Sequence, residues 1–180
     1  MTERRSIGRT ILRALLWTFA LMALLAVLET AAEGATVSCP ANGACYGTSG
    51  PDLIYPKLGT TVVHAFQGND TVYGSLASTT INAGDGTDTV LGGGGNDTIN
   101  GGPGGDYLYG ETGGDYIRGE GGSDYMSSGD SNDTIWAVDC TSDVAIYGGG
   151  GTGDVAFYDA GNGDPYVLSG IEYRGPSNCS

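Results

Sequence analysis

Large aliphatic side chains recur every nine residues along the middle of this chain. Residues Gly47 to Trp136 divide without a gap into ten nine-residue units, and position eight of each is Ile54, Val63, Val72, Ile81, Val90, Ile99, Leu108, Ile117, Met126 or Ile135. Positions one to six of each unit are mostly Gly, Asn, Ser, Thr and Asp, which favour turns. Positions seven to nine predict a short strand. Side chains alternate faces along a strand, so position eight points one way and positions seven and nine the other. A position that is always apolar is the inner one.

One turn and one strand make half a coil. Two units close a coil of 18 residues, and a fixed period of this kind is the mark of a solenoid in which each repeat covers its neighbours. The pattern therefore predicts an all-β fold, a right-handed parallel β-roll of about five 18-residue coils over 47–136. Consecutive units lie on opposite sides, and units two apart stack on the same side. Position six then forms two columns. The odd units place Asp52, Asp70, Asp88, Asp106 and Asp124 on one side, and the even units place Thr61, Thr79, Asp97, Asp115 and Asp133 on the other. Position four is Gly50, Gly68, Gly86, Gly104 and Gly122 in the odd column, whereas Ala77 and Ser131 interrupt the even one. Asn69, Asn96 and Asn132 at position five suit turns that enter the left-handed region.

Stacked carboxylates about 5 Å apart repel, by about 3–4 kcal/mol per neighbour at an effective dielectric near 20. A domain stable by only about 5–15 kcal/mol cannot absorb several such terms. A divalent cation between same-side turns removes the penalty. Carboxylates with glycine carbonyls, at Gly93, Gly95, Gly102 and Gly104 among others, form a hard-oxygen set that suits several Ca²⁺ ions. Zinc is disfavoured, because His64 is the single histidine and the cysteines lack C-x-x-C spacing.

Units Gly92–Asn100 and Gly101–Tyr109 match G-G-x-G-x-D-x-U-x throughout. With Gly84-Asp85-Gly86-Thr87-Asp88 before them, they resemble the RTX (repeat-in-toxin, haemolysin-type) calcium-binding repeat. The resemblance implies a β-roll with Ca²⁺ held between same-side turns. Carried over position by position, it makes Asp88/Asp106, Asp97/Asp115 and Asp106/Asp124 the leading pairs, with Asp115/Asp133, Asp70 and Asp52 behind them. The early units that lack Asp, Pro56–His64 and Gly74–Asn82, are expected to keep the shape and bind ions weakly. Proteolysis and cytolysis in this family reside in other domains, and neither is expected of this repeat array.

The ends complete the picture. Arg4, Arg5, Arg9 and Arg13 precede an apolar run from Ala14 to Leu28, and Ala32-Glu33-Gly34 offers a small-residue cleavage site. Residues 1–34 thus read as a secretory signal peptide, with an uncleaved anchor as the alternative. An N-terminal cap is expected over 35–46 and irregular C-terminal capping coils over 137–180, in which Asp143, Asp154 and Asp164 are either further ligands or ordinary turn residues. The whole chain has a net charge of −14; loss of 1–34 takes Lys plus Arg from 7 to 3 and Asp plus Glu from 21 to 18, for a charge of −15. That surface repels nucleic acid and anionic membranes, so no nucleic-acid partner and no stable membrane insertion after cleavage are expected. Cys39, Cys45, Cys140 and Cys179 suggest two disulfides in an exported chain. Three pairings are open; Cys39–Cys45 with Cys140–Cys179 keeps partners on the same end of the array.

No H-E-x-x-H or G-x-S-x-G is present, and the carboxylates are accounted for by the period, so no catalytic residue is expected. Outward-facing Tyr55, Tyr73, Tyr107, Tyr109 and Tyr125 form a prospective strip for carbohydrate or a surface protein; Tyr also simply suits half-exposed strands. The expectation is a secreted or cell-surface calcium-folded module that is structural or interacts through its surface. The alternative is a non-catalytic component of a secreted toxin or enzyme system.

Overall fold

The structure is a computed structural model that describes residues 34–139, 141, 143–158, 167–168 and 171–176. Two eight-stranded parallel sheets face each other. The first runs in the order β1 (Thr36–Ser38), β3 (Leu53–Tyr55), β5 (Thr71–Ser75), β7 (Thr89–Gly94), β9 (Tyr107–Thr112), β11 (Tyr125–Asp130), β13 (Ala145–Tyr147) and β15 (Val167–Leu168). The second runs β2 (Gly43–Tyr46), β4 (Thr60–Gln67), β6 (Thr80–Asp85), β8 (Thr98–Asn100), β10 (Tyr116–Arg118), β12 (Thr134–Ala137), β14 (Asp154–Tyr158) and β16 (Ile171–Pro176). Successive strands alternate between sheets, as in a right-handed β-roll. There is no helix among the described residues.

The 18-residue register is kept through the repeats: Val72 pairs with Val90, Ile81 with Ile99, Val90 with Leu108 and Ile117 with Ile135. All ten position-eight side chains are buried in one core between the sheets. Burial of each contributes about 1.5–3 kcal/mol relative to exposure. The roll completes about seven coils, not five. Segments on both sides of 47–136 continue the same ladders without carrying the nonapeptide: Val37 pairs with Ile54 before it, and Ile146 with Met126 after it.

Cys39 and Cys45 are joined by a disulfide at the first coil and are buried in the core. Cys140 and Cys179, Asp164 and the signal segment lie outside the described residues.

Candidate metal centre

Position four carries the geometry of the turn. Gly104 has φ +146 and Gly86 φ +148, and a Cβ on Gly104 would lie 1.6 Å from the Gly86 carbonyl oxygen, 18 residues earlier. Both the left-handed backbone and the close coil-on-coil approach exclude a side chain there. Asn69, Asn96 and Asn132 do something other than expected, since none has positive φ. Their side-chain carbonyls instead accept the N–H of the residue stacked above, from Thr87 at 3.0 Å, Gly114 at 3.1 Å and Thr152 at 3.3 Å.

The position-six carboxylates are buried and stand in two columns. Each Oδ1 accepts the backbone N–H of the position-six residue one coil earlier. On the odd side Asp70 bonds Asp52 N–H (2.7 Å), Asp88 bonds Asp70 (2.7 Å), Asp106 bonds Asp88 (2.8 Å) and Asp124 bonds Asp106 (2.9 Å). On the even side Asp97 bonds Thr79 (2.7 Å), Asp115 bonds Asp97 (2.8 Å) and Asp133 bonds Asp115 (2.7 Å). The second oxygen behaves differently. Oδ2 of Asp70, Asp88, Asp97, Asp106, Asp115 and Asp124 is buried with no hydrogen-bond partner. A buried acceptor left unmade carries a large desolvation cost.

The cost appears in the protonation equilibria. Burial pushes Asp70, Asp106 and Asp115 up to about 7 and Asp88, Asp97 and Asp124 up to about 6, with the backbone N–H opposing the rise. Asp133 is raised by burial as well, against the Asp115 N–H and the Ser128 hydroxyl. Neighbouring carboxylates add to the shift, but desolvation is the larger cause. Mutual repulsion, the expected driving term, is therefore secondary to burial.

What lies beside each orphaned oxygen decides whether an ion fits. A Cβ on Gly101 would stand 2.5 Å from Asp106 Oδ2 and 2.7 Å from the carbonyl oxygen of Gly119, one coil further on. The corresponding point at Gly110 is 2.4 Å from Asp115 Oδ2 and 2.4 Å from the Ser128 carbonyl, and at Gly92 it is 2.8 Å from Asp97 Oδ2 and 2.7 Å from the Gly110 carbonyl. Position-one glycine thus lets a carboxylate oxygen and, at Gly92, Gly101 and Gly110, a carbonyl of the next coil converge where a side chain would otherwise stand. Gly119 does the same beside Asp124 Oδ2, at 2.3 Å. In the units of Asp70 and Asp88, position one is Ala65 and Ala83, both buried, so a methyl group occupies this place. Among the described residues no three His, Cys, Asp or Glu side chains converge. With fewer than three carboxylates converging, backbone carbonyls would have to complete a site, a hard-oxygen set of the kind calcium takes.

The other predicted residues fall as follows. Gly93, Gly95, Gly102 and Gly104 all lie in these turns with positive φ. Asp52 already has partners for both oxygens, from Ala35 N–H and the Thr48 hydroxyl on Oδ1 and Thr48 N–H on Oδ2. Thr61 does not occupy the even column. The β2–β4 register shifts between Gly43 and Ala44, which turns Thr61 outward and buries Thr60 in its place, hydrogen-bonded to the Pro40 carbonyl at 2.8 Å. Asp143 and Asp154 extend the columns: Asp143 Oδ1 accepts Asp124 N–H at 3.1 Å and Asp154 Oδ1 accepts Asp133 N–H at 2.9 Å. Their 19- and 21-residue steps break the period, but a search for Asp followed by a Val/Ala-rich strand finds both.

The outward tyrosines form two groups. Tyr55 and Tyr73 stack at 5.3 Å, each 42% exposed. Tyr107, Tyr109, Tyr125 and Tyr147 cluster with ring centroids 5.4–6.1 Å apart along successive contacts. Leu91, paired with Tyr73 on one side and Tyr109 on the other, separates them.

Compared with known families, residues 64–99, 74–108 and 100–135 match the RTX calcium-binding nonapeptide repeat, with four copies in all. No curated protein and no solved structure matches the chain.

Proposed function

We propose, from a chain whose residues 64–135 are RTX calcium-binding nonapeptide repeats, that its role is that of an exported module folded by extracellular Ca²⁺. The RTX repeat family is a calcium-binding, non-catalytic unit. The observation that carries it is the row of buried, unpartnered carboxylate oxygens packed against position-one glycines at Asp97, Asp106, Asp115 and Asp124. These four residues, with position-one and neighbouring turn carbonyls, would hold the ions. Bound calcium supplies the positive charge that lets a buried carboxylate stay ionised. Asp70, Asp88 and Asp133 are weaker sites in this reading, because Ala65, Ala83 and Ser128 stand where glycine would leave room.

Binding is then coupled to folding. Where calcium is scarce the ionised columns oppose closure and the chain stays open for export. Outside, ions at about 10⁻⁴–10⁻³ M, the range of extracellular calcium modules, close the coils. The exposed Tyr55–Tyr73 pair supports a surface-interaction role for the closed roll. The test is a Ca²⁺ titration of residues 35–180 by far-UV circular dichroism with Mg²⁺ as control. A cooperative gain of β signal with Ca²⁺, weakened in Asp106→Ala, is expected; full β signal in chelator at neutral pH would remove calcium-coupled folding from consideration.

A further inference from the structure

A shallow, open site lies at the N-terminal end of the roll, in the turns that lead to Asp52, Asp70 and Asp88. It is largely open to solvent, has a volume of about 530 Å³ and is lined by Gly47, Thr48, Ser49, Phe66, Gln67 and Asp85. Its apolar wall is Phe66, 49% exposed. Phe66 stands at position two, where the units one and two coils further on have Gly84 and Gly102, and it keeps the same left-handed backbone, φ +81. A side chain in that region costs about 1–2 kcal/mol, and half of the ring is left in water. Neither backbone preference nor core packing accounts for an aromatic residue here. Glu111 and Glu120 hold the same left-handed backbone at position two, so it is the half-exposed aromatic ring that sets this turn apart.

The ring is held in place. Tyr46 and His64 lie 6.2 and 6.1 Å from it, within 14° and 20° of parallel. Beyond the apolar wall are groups suited to hydroxyls. Gln67 and Asp85 are register partners on β4 and β6, and Gln67 Nε2 donates to Asp85 Oδ2 at 3.3 Å. An amide so engaged still offers a second N–H and a carbonyl oxygen, and the carboxylate further lone pairs. Thr48, tied to Asp52, fixes the far wall.

We propose that this cleft binds one neutral pyranose ring of a polysaccharide, its apolar C–H face on Phe66 and adjacent hydroxyls on the Gln67 amide and the Asp85 carboxylate. An apolar face next to a ring of hydroxyls is what distinguishes a sugar from a purely apolar or purely ionic ligand. The volume lies within the range of small-ligand sites. Acidic sugars are disfavoured by Asp85 and by the net charge of −14. The site lies at the turn following β4 and β6, apart from the Tyr55–Tyr73 pair on the other sheet. Asp52, in the turn that supplies Gly47, Thr48 and Ser49, is already hydrogen-bonded through both oxygens.

The experiment uses the full chain in millimolar Ca²⁺, titrated calorimetrically with cellohexaose, chitohexaose and maltohexaose, and with polygalacturonate as anionic control. At least one neutral oligosaccharide is expected to bind at millimolar concentration or below, and Phe66→Gly and Asp85→Ala each to weaken it roughly tenfold or more. Phe66→Gly relaxes the backbone, so its circular dichroism and Tm are expected to hold, which separates lost binding from lost folding. Binding that survives Phe66→Gly, preference for polygalacturonate, or no response to any of the three neutral oligosaccharides overturns the proposal.

Discussion

At the scale of single residues, small side chains matter here for the oxygens they leave accessible. Gly101 is the sharpest case, because a methyl group would fall between Asp106 Oδ2 and the Gly119 carbonyl. Gly101→Ala is expected to weaken calcium binding at this site about tenfold or more, with a smaller effect in calcium-free buffer at acid pH, measured by calorimetric titration and thermal melting. An unchanged calcium isotherm would show that the space beside Asp106 is not where an ion sits. The opposite substitution applies at position two. Glu120 is exposed and has φ +69. Its side chain makes one long ion pair, Oε1 to Arg118 at 3.9 Å, with both groups about 43% exposed, and such a pair is worth little. Glu120→Gly is therefore expected to raise stability by about 1 kcal/mol, the release of left-handed strain less the entropy glycine adds to the unfolded chain. A lower Tm would mean that the Arg118 pair outweighs the strain.

At the scale of the element, each coil touches only its neighbours, so stability is a sum of local terms that can be removed locally. The Cys39–Cys45 disulfide lies wholly within the first coil. Closing so short a loop contributes about 2 kcal/mol in the chain-entropy model. Replacing both cysteines with Ala is expected to lose amide protection in β1 to β4 and leave β9 to β12 protected, read by hydrogen exchange in calcium. Uniform loss across all coils would show a single cooperative unit instead. The same near-neighbour logic explains what could be read in the sequence. The invariant position eight revealed the two sheets and their register, because every unit solves the same burial problem. The first and last coils solve it with other residues: Val37 and Cys45 at one end, Ile146 and Ala156 at the other. Those coils carry no repeat signature, so the pattern alone undercounts them. Thr60 replaced Thr61 in its column because a register irregularity in β4 is decided by pairing with β2, which a period cannot encode. Asp143 and Asp154 were obscured by extra residues in their turns, although each strand that follows is plainly apolar.

For the whole molecule, pH and calcium act on the same columns with opposite signs. Aspartates that titrate near 3.9 when unfolded are pushed up to about 6 at Asp88, Asp97 and Asp124 and about 7 at Asp70, Asp106 and Asp115 in the metal-free roll, chiefly by burial. A raised carboxyl pKa means that the folded state holds the proton more tightly, so these groups favour folding below about pH 4 and lose that contribution as pH rises to about 7. Keeping these groups ionised above that range opposes folding, and the columns contain several of them. The calcium-free roll is therefore expected to show more β signal and a higher Tm at pH 4.5 than at pH 8. Calcium requires the ionised form, so its affinity rises with pH across the same window and each binding event releases protons. In excess calcium the order reverses, with the higher Tm at pH 8. Melting curves at the two pH values, with and without calcium, read all four corners of this cycle. A calcium-free Tm that rises from pH 4.5 to pH 8 would mean that these carboxylates are solvated when the ion is absent, and that their burial follows calcium binding.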